Sequence, residues 1–199
     1  MEWLFRVIEE IDPKHPKPSG NPVETTVFVD SNWAGDVENR RSVSGIVAFI
    51  NNTPYRWLAK KQESTKCSSF TAEFNAMRKA VELALNMRYT LRSMGLPIKG
   101  PTRILCDNEA VVKQASQPGS PLENKSIGIT YHFVREACAM GAIEVFWIPG
   151  KDNPADILTK LLPGPCFHKH LEFLMYDYDP IESLEDHNPN YVRERDKKN

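Results

Sequence analysis

The sequence has few cysteines and no long apolar run, and these two shortages exclude whole classes of protein. Its four cysteines form no C-x-x-C pair, which argues against a zinc ribbon or a redox dithiol. No apolar stretch approaches the length of a membrane span, and the N-terminus has neither the apolar core nor the small-residue cleavage site of a secretory leader. We therefore expect an intracellular protein that has no membrane partner.

The sequence also lacks an excess of charge of either sign. Lysine and arginine number 25, and aspartate and glutamate number 26, which gives a net charge of -1. This balance excludes a histone-like polycation but is compatible with a local basic face. With 41% hydrophobic and 26% charged residues in a length of 199, the composition is typical of one well-cored globular domain with tails.

Proline and charge divide the chain into three segments. Residues 1–22 are predicted to form a short amphipathic helix and a Pro/Lys-rich linker, because four prolines in "DPKHPKPSGNP" forbid regular structure. Residues 23–163 carry the regular apolar patterns of a folded domain. Residues 164–199 are polar, and we expect them to be irregular and partly disordered.

The pattern within residues 23–163 predicts an α/β fold. Three meandering strands come first, followed by a long helix that begins at Ser68 and Ser69, both good helix-start residues. A strand, two helices, another strand and a final helix over "NPADILTKLL" complete the order. We expect a mixed five-stranded sheet, three strands antiparallel and two parallel, flanked by helices.

Four acidic residues fall at the ends and beginnings of these elements. Asp30 and Asp107 each end a strand, Glu73 lies in the first turns of the long helix, and Asp156 lies at the start of the last helix. In an open α/β sheet such positions converge on one crevice. Four carboxylates that meet there repel one another unless divalent cations neutralise them, and Mg²⁺ suits such oxygen ligands best. Two ions in one site can activate water and stabilise the leaving oxygen in phosphodiester cleavage.

Each acidic residue taken alone has a simpler explanation. A single aspartate at a strand end is usually a helix N-cap or a turn former. Asp156 could favour a helix dipole, and Glu73 could belong to a solvated helix face. The occurrence of all four on these element types is what favours a metal site.

Seven motifs give the chain a resemblance to the ribonuclease H domain that closes the polyprotein of copia-type long-terminal-repeat retrotransposons. They are "DSNWAGD", "RRSVSG", "WLAKKQ", "SSFTAEF", "RILCDNEAVV", "YHFVRE" and "NPADILTK", spread from about Thr25 to Pro163. The resemblance implies an RNase H fold, an endoribonuclease that cleaves the RNA strand of RNA–DNA hybrids, and Mg²⁺ (or Mn²⁺) as cofactor. It places the D-E-D-D metal ligands on Asp30, Glu73, Asp107 and Asp156. It also implies action in a cytoplasmic virus-like particle or in the nucleus.

The chain departs from the family pattern at several places. Thr71 replaces an acidic residue of the long-helix motif, and Ser126 and Gly128 replace a histidine and an aspartate in "KSIGI". These changes concern a helix surface rather than the metal ligands. No histidine precedes the last helix, where Lys151 is a possible substitute.

The chain also lacks the basic helix with which some stand-alone RNases H hold a hybrid. Only a Pro/Gly-rich loop lies between Ser116 and Lys125. We therefore expect weak hybrid binding by this domain alone and a reverse transcriptase polymerase domain as partner, in cis or in trans. No F/Y-x-D-D polymerase motif occurs in the chain itself.

Basic and hydroxyl residues near the first carboxylates are the candidate contacts to the hybrid, although surface lysines and arginines often only interact with solvent. The candidates are Arg40, Arg41, Lys60, Lys61 and Lys66 for phosphates, and Ser68, Ser69 and Asn108 for backbone or sugar. Trp33, Trp57 and Trp147 are predicted to pack in the core or half-buried rather than to stack on bases, and His132 is predicted to be a packed helix residue rather than a catalytic base.

Three other interpretations stay open. The chain could be a catalytically decayed or repurposed RNase H-like module that binds nucleic acid or protein, or a transposase or integrase of the same superfold. Those enzymes place their glutamate on a late helix, whereas Glu73 comes second here. A zinc site at "CFHKH", residues 166–170, is disfavoured because a fourth ligand at standard spacing is missing.

Overall fold

The computed structural model describes residues 9, 11–33, 41–62, 68–122 and 125–175. Within them the chain forms five strands and four α-helices. The strands are β1 Thr25–Asn32, β2 Val43–Ile50, β3 Thr53–Lys61, β4 Thr102–Cys106 and β5 Ile143–Trp147. The helices are α1 Ser69–Ser93, α2 Glu109–Ser116, α3 Gly128–Ala139 and α4 Gly164–Met175. None of the helices in this part of the chain is both long and apolar enough to cross a membrane.

The strands form one mixed sheet in the order β3-β2-β1-β4-β5. Strands β1, β2 and β3 are antiparallel neighbours, whereas β4 runs parallel to both β1 and β5. The predicted mixed five-stranded sheet is therefore confirmed. The central position of β1 explains its continuous burial, because it is paired on both sides and covered on both faces.

Helices α1, α2 and α3 cover one face of the sheet and form the main core. The apolar residues that predicted α1, among them Phe74, Met77, Val81 and Leu91, are all buried on this face. The Ser68 side chain caps the helix by accepting a hydrogen bond from the Thr71 backbone N–H at 3.2 Å, as its sequence position predicted.

Helix α4 covers part of the opposite face, so the prediction of irregular structure from residue 164 onward is wrong for residues 164–175. Phe173 of α4 packs edge to face against Phe28 and Phe49, with ring centroids 5.4 and 5.5 Å apart. These two sheet residues belong to a second, smaller core that the helix completes. The physical reason for the helix is this apolar surface, which the sequence pattern of the tail alone does not show. Residues 176–199 lie outside the described residues.

The helix predicted over "NPADILTKLL" is instead a short 3₁₀ turn, Pro154–Leu158. The turn lies against β2 at Gly45. A Cβ atom at that position would lie 2.6 Å from Thr159 Cγ2 and 2.8 Å from the Ala155 carbonyl oxygen. The absence of a side chain at Gly45 therefore lets this turn lie directly against the sheet.

The proline-rich linker packs against the end of α1, although its residues form no helix or strand. The Ser19 backbone N–H donates to the Gly95 carbonyl at 2.9 Å, and Glu9 forms ion pairs with Arg88 and Arg92 at 2.8 and 2.6 Å. These ion pairs hold the pKa of Glu9 at about 2 even though burial opposes ionisation. The amphipathic helix predicted at the N-terminus lies outside the described residues.

Candidate metal and catalytic site

Strand register places two of the four predicted carboxylates side by side. Val29 of β1 pairs with Cys106 of β4 in the parallel ladder, so Asp30 of β1 lies beside Asp107, which directly follows β4. The prediction that Asp30 ends its strand is wrong, because pairing with β2 extends β1 to Asn32. Asp30 is 1% exposed. A buried carboxylate at a carboxyl strand end in an α/β sheet lies where ligands bind in such folds.

The other two carboxylates reach the same place from opposite faces of the sheet. One ligand oxygen each from Asp30, Asp107 and Asp156 lie within 4.8 Å of one another. Ligand atoms of Glu73, Asp107 and Cys106 form a second group of the same compactness. The structure thus brings together all four acidic residues in two groups that share Asp107.

Burial and mutual repulsion shift the acidities of this cluster. Burial, followed by the charges of Asp30 and Asp107, raises the pKa of Glu73 to about 9. Burial and Asp30 also raise the pKa of Asp107, and raise that of Asp156 to about 6. Burial is the largest cause of each shift and the neighbouring carboxylates add to it, and an added cation would favour the charged forms.

The residues fit a hard divalent cation. All four acidic side chains offer carboxylate oxygens, which Mg²⁺ and Mn²⁺ prefer. Glu73 Oε2 is buried and has no hydrogen-bond partner among the described residues, so one ligand oxygen is left unsatisfied. Cys106 is fully buried in the main core, and its thiol pKa is raised well above the usual value by burial, so it stays protonated.

Lys160 is a member of the cluster that the sequence analysis did not single out. Its Nζ lies 2.8 Å from Asp156 Oδ1 and 3.1 Å from Asp30 Oδ1. Burial opposes the charge, but the hydrogen bond to Asp156 and the charge of Asp30 raise the pKa of Lys160, so it remains cationic. The i,i+4 spacing from Asp156 was the available signal, and that spacing usually indicates only a surface pair.

Three hydrogen bonds hold the segment that carries Asp156 against β1. The Asn153 side chain donates to the Val29 carbonyl and the Asn32 side chain donates to the Thr159 carbonyl, each at 3.0 Å. The Thr159 hydroxyl donates to the Asp30 carboxylate. These contacts fix the position of Asp156 relative to Asp30, and sequence reasoning missed them because they join residues more than 120 positions apart.

A buried glutamine orients the helix end that carries Glu73. The Gln62 side-chain amide donates to the Ala72 carbonyl at 2.9 Å and to the Ser44 hydroxyl at 3.0 Å. Ala72 directly precedes Glu73, so this contact ties the start of α1 to β2. Gln62, the last residue of the "WLAKKQ" motif, is therefore a positioning residue.

The candidate hybrid contacts are placed in three ways. Arg40 and Lys66 lie outside the described residues. The exposed candidates are Arg41, Lys60, Lys61 and Ser69. The two lysines are the last residues of β3, which ends at the same end of the sheet as β1, the strand of Asp30. Ser68 and Asn108 act as N-caps, since Asn108 Oδ1 accepts from the Val111 N–H at 3.2 Å. Their contacts with nucleic acid stay predictions.

Several packing predictions are wrong. Trp57 is 67% exposed on β3 and His132 is exposed on α3, because each side chain lies on the solvent side of its element. Trp33 and Trp147 are 48% and 39% exposed, which agrees with the half-buried packing expected of them. Trp147 Nε1 donates to the Asp107 carbonyl at 3.0 Å, which anchors the ring beside the site.

The "CFHKH" segment is helical. It lies on α4, where Cys166 and His168 are exposed and His170 is buried. The metal-ligating groups found among the described residues are the two that contain Asp107. Lys151 is exposed in a 3₁₀ turn, Gly150–Asp152, just before the segment that carries Asp156.

Sequence comparison relates the chain to transposon polyproteins. The retrovirus-related Pol polyprotein from transposon RE1 of Arabidopsis thaliana is 30% identical over 148 residues, which cover 74% of this chain. The corresponding polyprotein from transposon TNT 1-94 of Nicotiana tabacum is 27% identical over 140 residues, or 70% of this chain. The chain spans 10% of the length of these relatives. No family profile matches it.

Structural comparison identifies the fold. LC11-RNase H1, solved in complex with an RNA/DNA hybrid, superposes with a TM-score of 0.54 at 13% identity, covering 74% of this chain and 99% of that one. The N-terminal RNase H domain of Rv2228c from Mycobacterium tuberculosis gives 0.50 at 15% identity, with 75% and 97% covered. The predicted RNase H fold is therefore confirmed, and the homologues of the chain are retrovirus-related Pol polyproteins of plant transposons.

Proposed function

We propose that this chain is a divalent-metal-dependent endoribonuclease that hydrolyses the RNA strand of RNA–DNA hybrids, as the RNase H domain of a copia-type reverse transcriptase. One observation carries the proposal: four carboxylates from separate elements of an RNase H fold meet at the carboxyl ends of β1 and β4. The raised pKa values of three of them support a cation as their partner.

The four carboxylates would share the work of holding the cations. Asp107 belongs to both ligand groups and would serve both sides, whereas Asp30 and Asp156 would hold a cation on one side and Glu73 on the other. Bound Mg²⁺ or Mn²⁺ supplies an activated water and neutralises charge on the leaving oxygen. Thr159 and Asn153 would keep Asp30 and Asp156 in position through the hydrogen bonds that join their segments.

The hybrid would lie across the end of the sheet where the carboxylates meet. The neighbour LC11-RNase H1 was solved with an RNA/DNA hybrid, which supports the substrate class for this chain. Discrimination would come from 2′-hydroxyl contacts and hybrid shape rather than from base edges. The proposed contacts are Arg40, Arg41, Lys60, Lys61, Lys66, Ser68, Ser69 and Asn108.

A polymerase domain is the proposed partner, in cis or in trans. The relatives are Pol polyproteins of which this chain spans a tenth by length, so the corresponding segment works there within a much longer protein. The same relationship supports action inside the cell, in a cytoplasmic particle or in the nucleus.

Cleavage of a hybrid with a labelled RNA strand tests the proposal. We expect Mg²⁺-dependent cleavage by the wild-type protein and a loss of about a hundredfold or more in Asp107→Asn, because a shared metal ligand is removed. Glu109→Gln is the matched control, since Glu109 is exposed two residues away and pairs with Lys113 on α2. Duplex DNA and duplex RNA should remain intact.

The same assay separates the alternatives. If neither wild type nor Asp107→Asn cleaves the RNA strand while both still bind the hybrid, a module that binds without cleaving is favoured. Strand transfer of a DNA end would favour an integrase-like enzyme, although the position of Glu73 on α1 argues against that order of ligands.

A further inference from the structure

Lys160 donates hydrogen bonds to carboxylate oxygens that could coordinate a cation on one side of the site. Its ammonium lies within hydrogen-bond distance of Oδ1 of both Asp30 and Asp156. These two aspartates, with Asp107, form one of the two ligand groups, whereas the other group contains Glu73. The lysine therefore compensates charge on the Asp156 side of the cluster.

We propose that Lys160 is a built-in counterion that competes with a divalent cation for the Asp30–Asp156 side of the site and makes binding there weaker than on the Glu73 side. This inference rests on the proposed function, because it concerns the cations of that same site. Like charges at a distance of a few Å repel strongly in a partly buried environment. A cation on this side must therefore displace the ammonium or bind against its repulsion.

The surroundings of Lys160 allow the displacement. Its side chain is 35% exposed, compared with 1% for Asp30, so its flexible stem can turn outward while the aspartate stays in place. The backbone of the same segment is fixed, since the Asn32 side chain donates to the Thr159 carbonyl and Lys160 N donates to the Asp156 carbonyl at 2.9 Å. Lys160 can thus move without carrying Asp156 away from the site.

Titration calorimetry with Mg²⁺ on the full chain tests the competition. We expect Lys160→Met to bind Mg²⁺ about tenfold or more tightly than wild type in its weaker binding step, because a positive charge beside two ligand carboxylates is removed while the apolar stem is kept. Lys169→Met is the matched control. Lys169 Nζ pairs with Asp152 at 2.5 Å, and Asp152 belongs to neither ligand group, so its removal should leave both steps unchanged.

Thermal unfolding supplies a second readout that does not depend on activity. In chelator, Lys160→Met should unfold at a lower temperature than wild type, because the carboxylates lose their counterion. Added Mg²⁺ should then raise its midpoint by more than it raises that of wild type. Lys160→Gln, which keeps a polar end, provides a second variant should the methionine protein fold poorly.

The outcomes separate this inference from the proposed function. Equal or weaker Mg²⁺ binding by both folded variants, or the same gain in Lys169→Met, would overturn the role of Lys160 alone. Tighter binding by Lys160→Met in a protein that cleaves no hybrid would support the inference and count against the nuclease. Absence of Mg²⁺ binding in every variant and in wild type would overturn both.

Discussion

The carboxyl group of Glu73 shows how strongly one residue can depend on a partner supplied from outside the chain. Its pKa of about 9 means that, between the ordinary value of 4.5 and about 9, the folded protein binds a proton that the unfolded chain releases. Without a divalent cation, the stability of the fold must then fall as pH rises through this window, and a bound cation should reverse the trend.

We therefore predict that Glu73→Gln removes part of the pH dependence. From about pH 7 to about pH 9 in chelator, the unfolding midpoint of wild type should fall while that of Glu73→Gln stays nearly level. Glu82→Gln on the exposed side of α1 is the control, and it should behave as wild type. Parallel pH profiles for wild type and Glu73→Gln would show that Glu73 ionises freely.

A second residue-scale prediction concerns the close approach at Gly45. A methyl group there would collide with Thr159 and with the Ala155 carbonyl, so Gly45→Ala should push the Asp156 segment away from β1. We expect a loss of about 1–3 kcal/mol in unfolding free energy and weaker Mg²⁺ binding. Gly164→Ala is the matched control, since no atom lies within 4 Å of a Cβ atom at that position.

At the scale of elements, α4 protects a surface that the sheet cannot cover by itself. Phe173 meets Phe28 and Phe49, and we expect Phe173→Ala to lower the unfolding free energy by about 2–4 kcal/mol, as for other large-to-small core changes. Denaturant unfolding measures this. Phe167→Ala, on the same helix and 39% exposed, should cost far less. Equal effects would mean that α4 does not dock on the sheet.

Strand β3 is an edge strand of the sheet, and its last residues lie at the same end of the sheet as Asp30. Its last two residues, Lys60 and Lys61, are exposed at the carboxylate end of the sheet. Changing both to alanine should weaken hybrid binding and reduce the slope of log affinity against log salt by about 0.9 for each phosphate that is no longer neutralised. Lys113→Ala on α2 is the control. An unchanged slope in the double variant would show that Lys60 and Lys61 do not contact the hybrid.

For the whole molecule, the sequence predicted what depends on local pattern and missed what depends on distant contacts. The mixed five-stranded sheet and the burial along α1 were predictable because apolar runs and helical periodicity mark the strands and the helix directly. Asp30 and Asp107 were predictable as neighbours because parallel strands end at one edge. The contacts of Lys160 and Thr159 with Asp30, and the docking of α4, were not predictable, since nothing within each segment indicates which distant surface it meets.

The linker packs at the C-terminal end of α1, the end opposite to Glu73. Residues 11–22 lead into β1 at its first residue, while Asp30 lies near its last, so the linker and the acidic crevice lie at opposite ends of the sheet. The described linker therefore stays at the end of the sheet remote from the carboxylates. The mouth of the crevice would stay open to a long, rod-like substrate.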